Sequence, residues 1–235
     1  MKIRHIFFDL DNTLWDHRKN AYLTLENLFE RKNIQKKYHL EFKVFHQVFY
    51  DINEVLWAKI REGEIDKDYL RKHRFYDSFL HFGIDDWELS EYFESQFLDE
   101  IIVYNHLLEG CVELLDYLQS KNFSLHIISN GFQDVTHRKV EKSGISKYFQ
   151  TITSADELNI RKPKSEIFQL ALDKANANKS ESLMVGDDWI ADVEGAIAFG
   201  LDVVFFEVLQ ENNPTKGVKT ITQLSGLKNI IVELN

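Results

Sequence analysis

The chain has 235 residues, 44% hydrophobic and 28% charged, which is the balance of a folded protein and excludes general disorder. A formal net charge of −10 repels phosphate backbones and argues against nucleic acid as a partner, while a small phosphorylated ligand stays possible where local cations or a metal override the field. One cysteine, Cys111, excludes an internal disulfide and a thiolate zinc site, and no HExxH, GxGxxG, P-loop or GxSxG pattern is present.

Residues 3–8, Ile-Arg-His-Ile-Phe-Phe, form a short apolar run closed by Asp9 and read as a buried strand. This run is too short for a signal peptide, and no stretch of about 18 apolar residues follows, so a soluble cytoplasmic protein without a membrane partner is expected. From about 17 to 103 the spacing is helical: Leu25, Leu28 and Phe29, then Phe42, Phe45, Phe49, Ile52 and Leu56, with Gly63 and Gly83 as breaks. Beyond 104 helices and strands alternate. Cys111, Leu114, Leu115 and Leu118 share a helix face, which marks Cys111 as core. Strands are expected at 123–128, 151–153, 183–185 and 203–206, and helices at 135–142, 167–175 and 190–199, the last stopped by Gly200. The tail reads as a loop at Pro214 and a short helix from Thr222. Alternation of this kind implies an α/β fold with a parallel sheet covered on both faces, here residues 1–16 and 104–235, interrupted by an all-helical insert at 17–103.

Ligands of open α/β sheets bind at the carboxyl ends of the strands. Those ends carry Asp9, Asp11 and Thr13; Ser129 and Asn130; and Asp187, Asp188 and Asp192, while Arg161, Lys162 and Lys164 precede the helix at 167. Carboxylates, a hydroxyl and a lysine brought together are the components of Mg2+-assisted phosphoryl transfer.

Asp9-Leu10-Asp11-Asn12-Thr13, Ser129-Asn130, Lys162-Pro163 and Gly186-Asp187-Asp188 with Asp192 resemble, in order, the four motifs of the haloacid dehalogenase-like hydrolases. The resemblance covers the whole chain and implies a Rossmann-like catalytic core with a helical cap. Leu56-Trp57, Gly63-Glu64-Ile65 and Ile128 to Phe132 are similar to the pyrimidine 5′-nucleotidase branch.

The resemblance implies that Asp9 is the nucleophile that forms an aspartyl-phosphate. Asp11 would be the general acid for the leaving oxygen and then the base for water. Lys162 would neutralise developing charge, and Mg2+ would be held by the Asp9 carboxylate, the Asp11 backbone carbonyl and Asp187. Ser129 would donate to the phosphoryl group, with Asn130 beside it in the binding loop and Thr13 helping to orient the group. Asp192 would orient the ligands from behind, or else be a solvated acid on a helix face; Asp188 would be a further ligand or a helix cap. Asn159 stands where relatives often have Gly, and Lys164 where a capping Asp is common. A halide needs no proton on departure and an alkoxide does, so Asp11 favours a phosphatase over a dehalogenase.

The insert holds 17 of the chain's 31 aromatic residues between positions 17 and 100. They either fill a small helical core or stack on a nucleobase. Trp57 and Arg61 are the candidates for contact with the leaving group. Nucleoside 5′-monophosphates lead the expected substrates, followed by sugar phosphates, acylneuraminate 9-phosphate and flavin mononucleotide. A phosphomutase and a non-catalytic scaffold of the same fold are the other readings.

Overall fold

The computed structural model describes residues 2–208 and 217–234; the loop expected at Pro214 lies outside the described residues. The chain divides into two compact units, Met1–His17 with Asn105–Asn235, and Arg18–Tyr104. The dividing points fall one residue beyond those drawn from the sequence.

The first unit is an α/β fold. Its strands are β1 (His5–Phe8), β2 (Ser124–Ser129), β3 (Phe149–Ser154), β4 (Ser182–Gly186), β5 (Asp202–Phe206) and β6 (Lys219–Ile221). They form one sheet in the order β3-β2-β1-β4-β5-β6, and every pairing is parallel. β1 lies at the centre, with Phe8 opposite Ile127 on one side and Val185 on the other. Its three apolar side chains are buried, as a central strand covered on both faces requires. The strand order reverses beside β1, which places the topological switch point at the end of the first apolar run.

The helices of this unit are α6 (Cys111–Ser120), α7 (Gln133–Lys142), α8 (Ser165–Ala175), α9 (Gly195–Phe199) and α10 (Leu227–Leu234). Cys111, Leu114, Leu115 and Leu118 form the buried face of α6. Phe7, Ile128 and Met184 from the sheet pack with Ile167, Phe168, Ala171 and Leu172 of α8. Gly200 ends α9 with a left-handed φ of 89°, a conformation that carries no penalty for glycine. The helix expected over 190–199 begins instead as a π-helical turn, Trp189–Glu194, before α9. β6 has no counterpart in the sequence reading: three residues, one of them buried, are too few to set a period.

The second unit is all helical. It comprises α2 (Ile34–Tyr38), α3 (Phe42–Glu62), α4 (Lys67–His81), α5 (Trp87–Glu100) and all but the first residue of α1 (His17–Arg31). Asp66 and Asp86 cap α4 and α5 by accepting the amides of Tyr69 and Leu89. Phe45, Phe49, Phe75, Phe79, Phe93 and Phe97 are buried together, with Phe45–Phe79 and Phe49–Phe75 centroids at 4.8 and 4.7 Å. These aromatics fill the unit's own core. Arg74 reaches both oxygens of Glu94, at 2.6 and 3.0 Å, so this buried charge is paired bidentately. No helix among the described residues is long and apolar enough to cross a membrane.

His126, inside β2, is fully buried. Its ring stacks on Phe7 at 4.6 Å, and its Nδ1 lies 2.8 Å from the Thr151 hydroxyl. Burial, with His5 adding to it, pushes the imidazole down from 6.5 to about 4. The unfolded chain therefore binds this proton first, and the stabilisation present above about pH 6.5 is lost as pH falls towards about 4. Urea unfolding across that window should show a loss on the order of 2–3 kcal/mol from this group. The loss should shrink in His126→Gln; an unchanged pH dependence in the variant would assign the effect elsewhere.

Candidate active site

Asp9 extends β1 by one residue, its amide donating to Val185 O at 2.9 Å. The chain then turns tightly. The amides of Leu14 and Trp15 both donate to Leu10 O, Asn12 N donates to Trp15 O at 2.7 Å, and Asn12 takes a left-handed φ of 60°. Asn tolerates that conformation because its short polar side chain bonds locally. The turn keeps Asp9, Asp11 and Thr13 at the sheet edge, next to the ends of β2 and β4.

Lys162 enters from the segment between β3 and α8, with Asn159 at a left-handed φ of 52° just before it. Asn130 fixes that segment. Its Nδ2 donates to Lys162 O at 3.0 Å, and its Oδ1 accepts Lys162 N at 2.8 Å. The Lys162 ammonium is almost wholly buried and donates to Asp9 Oδ1 at 2.6 Å and to Ile128 O at 2.7 Å. It also lies 2.6 Å from Asp192 Oδ1. Lys164, by contrast, is exposed at the start of α8.

Asp192, fully buried on the π-helical turn, is therefore the second counter-ion of Lys162, and its Oδ2 accepts the Asp188 amide at 3.1 Å. A Cβ at Gly186 would overlap the Asp192 carboxylate, so glycine is required at the end of β4. Asp188 caps the turn, its Oδ1 accepting the amides of Ile190 and Ala191 at 2.9 and 2.8 Å. Thr13 is fully buried and donates to Asp187 Oδ1 at 3.0 Å, a role in holding a carboxylate that differs from the phosphoryl contact expected for it. Ser129 Oγ accepts Gly131 N at 3.0 Å, which leaves the hydroxyl proton free to be donated.

Asp9, Asp187 and Asp192 bring carboxylate oxygens within 4.8 Å of one another. The Asp11 carboxylate is not in this group; its Oδ1 accepts Lys139 Nζ at 2.6 Å. Burial is the main force on every member. It pushes Asp9 up to about 7 against the pull of Lys162, and it raises Asp187 well above its usual range, with the charges of Asp9 and Asp192 adding to the effect. Asp192 is also raised, while Lys162 between the carboxylates is held protonated. For Asp11 burial acts upward, but the Lys139 ammonium, followed by His17 at 3.8 Å, outweighs it and lowers the carboxyl below its ordinary value. Three carboxylates against one ammonium leave a buried excess of negative charge. An all-oxygen donor set with that excess fits a hard divalent cation.

Lys139 and His17 were not singled out in the sequence. For Lys139 the signal is present: it falls on the buried stripe of α7 with Val135, Thr136 and Val140, where an uncompensated charge is costly. Trp57 and Arg61 lie one turn apart on α3 in the helical unit, both half-buried.

Replacing Lys162 by Met would leave Asp9 and Asp192 buried without their cation. The expected cost in metal-free buffer at pH 7 is about 3–5 kcal/mol, read by urea unfolding. An unchanged midpoint would show that the three charges do not depend on one another.

The family model for haloacid dehalogenase-like hydrolases matches residues 3–200. The pyrimidine 5′-nucleotidase YjjG of Escherichia coli is 28% identical over 97% of this chain and 96% of its own length. The pyrimidine 5′-nucleotidase PynA of Streptococcus pneumoniae is 24% identical over 94% and 90%. Among solved structures, the HAD-hydrolase YfnB of Bacillus subtilis, bound to magnesium, superposes with a TM-score of 0.89 at 24% identity, covering 99% of this chain and all of its own.

Proposed function

This chain belongs to the haloacid dehalogenase-like hydrolases, and from that premise we propose that it is a Mg2+-dependent phosphomonoesterase acting through an Asp9 aspartyl-phosphate, with nucleoside 5′-monophosphates as its leading substrates. The observation that carries the reading is the buried contact of Lys162 with both Asp9 and Asp192, beside a further carboxylate, Asp187. The E. coli and S. pneumoniae nucleotidases and the magnesium-bound B. subtilis relative support the substrate class and the metal.

Asp9 and Asp187 would hold Mg2+ together with the Asp11 backbone carbonyl, and bound there it would offset the phosphoryl charge. The free oxygen of Asp9 attacks phosphorus while Lys162 holds Oδ1 and fixes the carboxylate for in-line approach. As the ester P–O bond breaks, its electron pair remains on the leaving oxygen, which takes a proton from Asp11. Ser129 donates to a phosphoryl oxygen. Water then attacks the aspartyl-phosphate and gives its proton to Asp11, releasing inorganic phosphate and restoring Asp9. Dehalogenation is the less favoured chemistry, because a halide takes no proton and Asp11 would have no task.

A phosphate-release screen across nucleoside monophosphates and sugar phosphates tests the reading. Release should require Mg2+ and stop with EDTA; no release from any phosphomonoester would overturn it. Asp9→Asn should abolish turnover with the fold intact, and near-normal activity in that variant would remove the mechanism. Asp11→Asn should lose about 10²-fold or more in kcat. Thr13→Val, which removes the donor to Asp187, should weaken Mg2+ binding about 10- to 100-fold by calorimetry.

A further inference from the structure

The Lys139 ammonium is nearly buried; it donates to Asp11 Oδ1 at 2.6 Å, an oxygen that His17 Nδ1 approaches to 3.8 Å, and lies 4.4 Å from the centroid of the Trp15 ring. Trp15 is itself fully buried and is bridged to Asp11 through the backbone of the turn after β1. Enclosing an ammonium in this way carries a desolvation penalty that one carboxylate seldom repays as stability. A methionine or leucine would serve the buried stripe of α7 better, so packing does not explain the lysine.

The other Asp11 oxygen faces a different neighbour. A Cβ built on Gly131 would sit 3.7 Å from Asp11 Oδ2 and 3.1 Å from Ser129 Oγ. The closest approaches of that Cβ are to Thr136 Oγ1, at 3.0 Å, and Ser129 Oγ, while Oδ2 lies at ordinary contact distance, so Oδ2 borders the loop that carries Ser129.

We propose that Lys139 is a positioning residue for proton transfer: by clamping Asp11 Oδ1 it assigns Oδ2 as the oxygen that gives the proton to the leaving group and later takes one from water. This rests on the phosphomonoesterase reading above. The electron pair of the breaking P–O bond goes to the leaving oxygen, and the proton that neutralises it comes from Oδ2. Without the clamp, Asp11 rotates about χ1 and χ2, and the proton is no longer aimed.

A series of leaving groups tests this. 2,4-Dinitrophenolate departs without a proton, whereas an alkoxide cannot. In Lys139→Met, kcat/KM for an alkyl phosphate or nucleoside monophosphate should fall about 10²-fold or more, and for 2,4-dinitrophenyl phosphate less than about 10-fold. Lys139→Arg, which restores a charged donor, should recover most of the loss on the alkyl substrate. Should Lys139→Met fail to fold, Lys139→Gln, a neutral donor too short to bridge, is read in the same way. An equal fall for both leaving groups would make Lys139 a structural residue and overturn the proposal, as would no fall at all. A wild-type enzyme that hydrolyses no phosphomonoester would overturn the phosphatase reading and this proposal with it; an active wild type with a flat leaving-group response in the variant would overturn this proposal alone.

Discussion

One buried ammonium organises the active edge of the sheet. Lys162 Nζ sits among Asp9 Oδ1, Asp192 Oδ1 and Ile128 O, and so ties together the end of β1, the end of β2 and the π-helical turn after β4. Each of these charges would be costly to bury alone, and each is tolerable because the others are present. The constraint runs outward from there. Asn130 must hold the Lys162 backbone, Gly186 must lack a Cβ so that the Asp192 carboxylate can pack against it, and Thr13 must steady Asp187.

The cluster sets three carboxyl groups against one ammonium, and their elevated pKa values express the cost of ionising all three together. A divalent cation held there would relieve it. Asp11 stands apart from the group, paired with its own lysine and kept below its ordinary value. Two carboxylates two residues apart thus meet opposite environments, Asp9 pushed up and Asp11 pulled down.

Much of this was legible in the sequence. The apolar run ending at Asp9 is a buried central strand, and the alternation after residue 104 produces the parallel sheet, because burial on both faces leaves unbroken apolar segments in the chain. Asp9, Asp187, Asp192 and Lys162 converge as strand-end placement predicts. Harder to read were features that depend on three-dimensional neighbours. Thr13 bonds Asp187, 174 residues away, and no local pattern announces that partner. Asp188 offered two readings, and the amides of Ile190 and Ala191 that it accepts are visible only in the folded chain. Lys139 reads as an ordinary surface charge unless its place on the α7 stripe is weighed, and its partner lies 128 positions earlier. β6 is too short to leave a period, and the π-helical start of the segment before α9 repeats at a spacing close enough to the α-helix to be taken for one.

In the proposed mechanism the Asp9 carboxylate becomes esterified to phosphorus during turnover. Acid quench of the working enzyme with Mg2+ and a nucleoside monophosphate, followed by borohydride reduction and peptide mapping, tests it directly, since an acyl-phosphate is reduced to an alcohol and a free carboxylate is not. Homoserine at position 9, dependent on substrate, is the predicted result. Phosphate release proceeding with an unmodified aspartate at position 9, or with the reduced residue elsewhere, would contradict it.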